Sequence, residues 1–439
     1  MNLALPRRFV SSLRRHVGVY AAAALPLLAS CGGGTFFQDS TDGQIRLVNA
    51  STDATNGIDL LESTNGLIGG TLQYTASDYV ALAKGDYTFN LRTTGTTTTA
   101  YSLTGSIGRG NHYAMVAYTS GGGLAATQVS EDEGDPGSGR AKFRVLNTAG
   151  TDTGGVDVYL INDVCTSLTN SNIAAFATNV ADTSSAYTEV LTGTYHVCIV
   201  GTGDKTDLRL DVANFTLAEK NIRSLIVART PGGVLLNGLI LDQQGALTPA
   251  LSASARLRVA VSTTGDAAVD ATINGTTVAA AQPSKTVGAY VTVPSGALTG
   301  TLSIGGAAVT PTLPSSIAAG ADLTLLVTDT GTATLITDDN TASTSTTNPV
   351  KIRLVNGAIG SGSIAMTVNS TLAASGVAFK TASASKQIAA SAGTATIAIS
   401  GTAAAPTNLT AQTFETGNAY VVFVLGDTSA PTSVLAAAR

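Results

Sequence analysis

From Ile45 the chain alternates: Ile45, Leu47 and Asn49 fall on one side of an extended strand, Arg46, Val48 and Ala50 on the other. A period of two marks a β-strand. Short runs rich in valine, isoleucine, threonine and tyrosine recur along the chain, separated by glycine, asparagine and proline, which is strand-and-turn composition. No amphipathic helical period emerges after the first thirty residues. The pattern predicts an all-β protein.

The pattern also repeats. "IRLVN" at Ile45 returns as "FRVLN" at Phe143, "LRVAV" at Leu257 and "IRLVN" at Ile352, so Arg46, Arg144, Arg258 and Arg353 lie 98, 114 and 95 residues apart. A second landmark keeps the same order: Tyr79, Tyr187, Tyr290 and Gln387 are each followed six residues later by Gly85, Gly193, Gly296 and Gly393. A third is an apolar run opening at Asn111, Asn221, Ala321 and Asn418. Three registered landmarks predict a fourfold repeat. Each glycine is expected to close a tight hairpin at positive φ.

Polar stretches at Ser130–Gly139, Asp242–Ser254 and Asp338–Pro349 precede the later arginines, as domain boundaries should. The expected modules are residues 44–129, 141–242, 255–337 and 350–439. About a hundred residues with seven or eight short strands fits an immunoglobulin-like β-sandwich. A single membrane barrel fits less well, because aromatics make up only 5% of the chain and would not furnish girdles. The expected architecture is therefore four tandem immunoglobulin-like β-sandwich modules joined by polar linkers into an extended rod.

"IRLVNAS…GIDLL", "FRVLNTAG…GVDVYL" and the glycine landmarks resemble the bacterial lipoprotein family called domain of unknown function 4397. The match is close in the first two modules and at the opening of the fourth, and weak in the third, where the asparagine is replaced by Val261. The resemblance implies secreted or surface-attached β-sandwich modules and carries no catalytic residues.

The first thirty residues read as an address. Arg7, Arg8, Arg14 and Arg15 precede an apolar run from Val17 to Leu28, too short for a permanent span, and "LLASC" ends at Cys31. This is a lipobox: residues 1–30 are expected to be a lipoprotein signal peptide, Cys31 the lipidated residue, and 31–43 a tether. The expected location is the bacterial outer membrane, lipid-anchored, facing either the periplasm or the surface. The paired arginines sit in "RRFVSS" and "RRHVGV", neither of which is a convincing twin-arginine context.

Beyond residue 30 the chain holds 20 basic and 29 acidic side chains, and only 12% of the whole is charged. That excludes a charge-driven hold on nucleic acid. Two histidines remain, His112 and His196, in different modules and without a nucleophile or carboxylate set nearby in sequence. No cofactor and no enzymatic activity are expected. Glu131, Asp132, Glu133 and Asp135 in the first linker and Asp338 and Asp339 in the third would suit calcium at a joint. Without an Asp-x-Asp-x-Asp-Gly loop, they read as solvated charge, and no metal site is expected.

Cys165 and Cys198 remain once Cys31 is set apart. Both lie in the second module, which is about ten residues longer than its siblings between arginine and tyrosine. In an oxidising compartment they are expected to form a disulfide that staples the longer segment to the sandwich. The four arginines admit two readings. As ligand-facing groups they would grip an acidic polysaccharide. As edge charge they would face solvent and discourage strand pairing, and that is the expectation. Taken together, a structural or adhesive envelope protein is expected. A periplasmic assembly scaffold bound to another envelope protein is the rival, and a carbohydrate-active enzyme ranks behind both.

Overall fold

The structure is a computed structural model describing residues 42–438 apart from 171, 183, 312 and 330–332. The signal segment 1–30, Cys31 and nearly all of the 31–43 tether lie outside the described residues.

The first repeat supplies eight strands: β1 (Asp42–Asn49), β2 (Ile58–Glu62), β3 (Asn65–Thr71), β4 (Val80–Ala83), β5 (Gly85–Thr93), β6 (Tyr101–Ile107), β7 (His112–Ser120) and β8 (Gly123–Ser130). They form two sheets, ordered β4-β1-β7-β8 and β3-β2-β5-β6. Ile45 and Leu47 of one sheet meet Ile58, Leu60, Phe89 and Leu91 of the other in a closed core. The architecture is the expected sandwich. Its strand order, however, is not the immunoglobulin arrangement of ABED against CFG. Here β1 lies antiparallel to β4 and parallel to β7.

The same plan recurs. The strands Arg140–Asn147, Ser254–Ser262 and Val350–Ile359 each pair in parallel with Ile222–Arg229, Asp322–Thr328 and Ala419–Asp427. The register repeats too: Arg46, Arg144, Arg258 and Arg353 sit opposite Ala114, Ser224, Thr324 and Val421. Three further cores each join the two sheets of one later repeat.

The glycine landmark is a corner rather than a hairpin. β4 belongs to one sheet and β5 to the other, with Lys84 alone between them. The Tyr87 hydroxyl donates to the Ala83 carbonyl at 2.8 Å, and Tyr195 does the same for Leu191 at 2.9 Å. Gly296 and Gly393 have φ of 96° and 73°, as expected. Gly85 and Gly193 are not left-handed; the tyrosine ring two residues on lies 3.6 Å and 3.4 Å from where a Cβ would stand.

The recurring asparagine of the opening motif is a latch between sheets. Asn49 donates to the Thr71 carbonyl at 2.9 Å, Asn147 to Val180 at 2.8 Å and Asn356 to Val377 at 3.0 Å. Each is buried, and a buried amide needs such partners.

Cys165 and Cys198 are bonded. Cys198 lies on the strand Gly193–Gly201, whose Val197 and Ile199 face the core. Its Cys198 and Val200 face outward, where the extra segment covers them with Leu168 and Ile173. The longer loop thus builds a second small core on the outside of that sheet.

Neighbouring sandwiches share faces, which overturns the rod of separate beads. Val48, Ala50, Ala114 and Val116 of the first pack on Leu146, Ile226, Ala228 and Leu239 of the second. Ala260, Leu326 and Ile336 of the third pack on Val355, Val421 and Phe423 of the fourth. Burying each larger aliphatic side chain is worth about 1.5–3 kcal/mol. Between the pairs, Gly232 N–H donates to the Gly320 carbonyl at 3.0 Å. A Cβ at Gly232 would stand 2.4 Å from that oxygen, so the approach requires glycine. The described residues form one compact unit. The second linker is also not all linker: Leu247–Ala250 adds a fifth strand beside Leu236–Asp242.

Candidate functional site

The four arginines stand on the face of β1 and its counterparts that turns toward the neighbouring sandwich. Arg46, Arg258 and Arg353 are buried and Arg144 is half-buried. Arg46, Arg258 and Arg353 therefore do not face solvent as the edge-charge reading expects, whereas Arg144 stays partly open.

In the first pair, Arg46 Nε donates to Glu131 Oε2 at 2.8 Å, and its Nη2 reaches Glu131 Oε1 as well. The same guanidinium crosses to the second sandwich, donating to the Asp242 carbonyl at 3.2 Å. Arg144 returns the contact, its Nη2 donating to the Ser130 carbonyl at 3.3 Å. Asp242 and Ser130 are equivalent, because each lies opposite the second residue of its parallel partner strand. The exchange is therefore reciprocal.

In the second pair one carboxylate holds both guanidinium groups. Asp338, fully buried, accepts from Arg353 Nη2 on Oδ1 and lies 3.3 Å from Arg258 Nη2 through Oδ2. Tyr290 and Thr324 hydroxyls each donate to Oδ2 at 2.6 Å. Arg353 Nη1 donates to the Thr337 carbonyl at 2.8 Å, as Arg144 does to Ser130. Burial of charge is tolerated only with such dense pairing.

The tyrosine landmark belongs to this joint. Arg46, Arg144 and Arg258 lie over the rings of Tyr79, Tyr187 and Tyr290 at 4.9, 4.3 and 4.5 Å, within cation–π range. Tyr79 donates to Glu131 Oε2 at 2.6 Å. Burial pushes the phenols of Tyr79 and Tyr290 well up; the neighbouring carboxylates, Glu131 and Asp338, push the same way. Both therefore stay protonated and donate. In the fourth repeat the position is Gln387, which instead donates to Thr344 Oγ1 at 2.9 Å.

The acidic linkers, read as solvated, supply the counter-charge. Glu131 and Asp338 take the arginines, Glu133 pairs with Lys142 and Asp339 with Lys351. These four of the six carboxylates that a joint calcium would use are thus engaged by cations of the chain. The joint carboxylate was legible as an acid at each odd repeat's end; that it meets the arginine was not.

Each histidine among the described residues meets one carboxylate. His112 Nδ1 lies 3.0 Å from Asp132 and His196 Nδ1 2.9 Å from Asp211. Among the described residues one cluster has metal-ligand spacing, Cys165, His196 and Asp211. Its sulfur is committed to the disulfide, so no thiolate is available to a metal. Nor is any helix among them long and apolar enough to cross a membrane.

A cleft of the third sandwich lies apart from the joints. It measures about 780 Å³ and lies in the third sandwich between Ser316–Ile317 and Ala333–Asp338, with Pro231 of the second sandwich at its rim. Leu323, Leu335 and Ile317 give it an apolar floor.

The family model for a domain of unknown function (DUF4397) matches residues 43–159 and 255–367. Each span covers one sandwich and crosses the joint into the next, ending at equivalent positions of the strands Val156–Ile161 and Ile364–Val368. No curated protein matches the chain. Among solved structures, a multi-modular glycogen-degrading pneumococcal virulence factor, SpuA, aligns at 9% identity and a TM-score of 0.15, over 62% of this chain and 37% of that one. This chain thus spans little more than a third of that protein's length. The Bacillus anthracis TIE protein aligns at 10% identity and a TM-score of 0.12, over 88% and 67%.

Proposed function

We propose that this chain, which belongs to the family of domain of unknown function DUF4397, is a lipid-anchored protein of the bacterial outer membrane with a structural or binding role. The observation that carries the reading is the repeated joint: the chain's buried charges hold sandwich to sandwich rather than converge on a reacting centre. Arg46 donates across to the Asp242 carbonyl and Arg353 pairs across with Asp338, one such contact in each half. The lipobox at Cys31 supports the anchor, with the acyl groups supplying membrane affinity that no described helix offers. A non-enzymatic role fits histidines that each meet one carboxylate and no nucleophile.

A protein partner is favoured over a polysaccharide. The arginines that would have gripped an acidic glycan are engaged in the joints, whereas the third sandwich carries an open apolar cleft. The anchor is tested by Cys31→Ser, which should leave the protein soluble or uncleaved on cell fractionation. Recovery of that variant in the membrane with a processed N-terminus defeats the assignment. Protease treatment of intact cells separates surface from periplasmic exposure.

A further inference from the structure

The second and third sandwiches differ at one corresponding edge. In the second, the chain reverses after Asp242 and lays Leu247–Ala250 antiparallel along Leu236–Asp242, with Ile240 opposite Thr248 and Gly238 opposite Ala250. Ile240 and Ala250 then pack against that sandwich's core. The third sandwich has the equivalent strand, Ala333–Asp338, with Leu335 at the place of Ile240 and Ala333 at the place of Gly238. Its outer edge carries no strand among the described residues.

The reason lies in the joint. After Asp338 the chain is drawn away: Asn340 Nδ2 donates to Asp322 at 2.8 Å and to the Tyr290 hydroxyl at 2.9 Å. It cannot fold back as residues 243–250 do. By register, Ala250's place opposite Gly238 corresponds to the edge beside Ala333, which lines the apolar cleft with Leu335, Ile317 and Leu323.

We propose that this edge and cleft of the third sandwich bind an extended peptide segment of a partner protein by strand addition, in the register that Leu247–Ala250 adopts on the second. Main-chain hydrogen bonds to the edge of Ala333–Asp338 supply the pairing. A small apolar residue or proline of the peptide, opposite Ala333, fills the cleft and supplies selectivity. The inference names the partner class for the binding role proposed above. It is read on the purified chain, so failure of the peptide and failure of the anchor are separate results.

The probe is a fluorophore-labelled peptide with the sequence of residues 245–252, GALTPALS, titrated against the full oxidised chain and followed by anisotropy. Saturable binding is expected. Leu335→Lys and the exposed Ser316→Lys should each weaken it by roughly tenfold or more, the effect of a charge placed in an apolar seat. Leu372→Lys, at an exposed apolar position of the fourth sandwich, should leave it unchanged. A peptide N-methylated on alternate amides should lose binding, because strand pairing needs those N–H groups. Ser316→Lys guards against misfolding of the Leu335 variant, and circular dichroism checks both. No saturation at millimolar peptide, binding that survives both lysines, or equal binding of the methylated peptide overturns the proposal. So does a chain that sediments as a Leu335-dependent dimer, which would assign the edge to a second copy.

Discussion

Arg353 of the fourth sandwich and Asp338 of the third form an ion pair with side chains 7% and 0% exposed. Because Arg258 lies on the other oxygen of the same carboxylate, Asp338→Ala leaves two guanidinium groups buried without their anion. Removing one partner of a buried pair costs about 3–5 kcal/mol. Arg144→Ala removes a hydroxyl contact, a long hydrogen bond to the Ser130 carbonyl and a tyrosine face, but no ion pair, worth about 1–2 kcal/mol. Guanidinium denaturation midpoints of the two variants should differ accordingly. Equal midpoints would show that the joint is not what holds the second pair.

The shared faces predict which fragments stand alone. Residues 42–252, a complete pair, should be a soluble monomer with a β-type circular dichroism spectrum. Residues 141–242 alone would expose Leu146, Ile226, Ala228 and Leu239 and lose the strand Leu247–Ala250. That fragment should self-associate and bind a hydrophobic dye. Size-exclusion chromatography decides between them, and a well-behaved monomeric single sandwich would speak against the pair as the folding unit.

The phenols give a pH signature. Tyr290 ionises near 10 in an unfolded chain, but burial and the Asp338 charge raise it in the fold. Above pH 10 the folded state therefore holds more protons than the unfolded one, and stability falls as pH rises. Its contribution is complete below pH 10. Tyr290→Phe should lower stability at pH 8 by about 1.5–3 kcal/mol, through loss of a hydrogen bond to a carboxylate, and flatten the alkaline limb. Urea titrations between pH 8 and 11 measure both. An unchanged alkaline slope in the variant would place the transition elsewhere.

The disulfide closes a sequence separation of 33 residues, worth about 3–4 kcal/mol on the chain-entropy estimate. Replacing Cys165 and Cys198 by serine should loosen the outer core around Leu168 and weaken the first sandwich together with the second, since they share a face. The third and fourth should keep their hydrogen-exchange protection. Loss of protection confined to the second sandwich would mean that the shared face couples them weakly.

Strand phase, repeat and disulfide were all legible, because alternation, spacing and cysteine placement are local properties of the chain. The fate of the arginine phase was not. A period of two assigns Arg46, Val48 and Ala50 to one face without saying whether water or another sheet lies beyond it. The clue was the company the arginine keeps: Val48 and Ala50, and Val355 after Arg353, are apolar on that same face. The rod failed for a topological reason. With β1 parallel to β7 and β8 returning antiparallel, the chain enters and leaves a sandwich at the same end. Consecutive sandwiches then fold side by side instead of end to end. The Arg–Tyr–carboxylate contact was hidden because Arg46 and Glu131 lie 85 residues apart, and only the parallel pairing brings them together.

A protein assembled through shared faces counts in twos. The carboxylate position of the joint is Glu131 and Asp338 in the first and third repeats but Gln243 and Ala438 in the second and fourth. One member of each pair brings the anion, and the other receives it. A fifth sandwich of either kind would leave an apolar sheet wet. Growth or loss of length that keeps every such face dry proceeds by even steps, so parity is written into the joint itself.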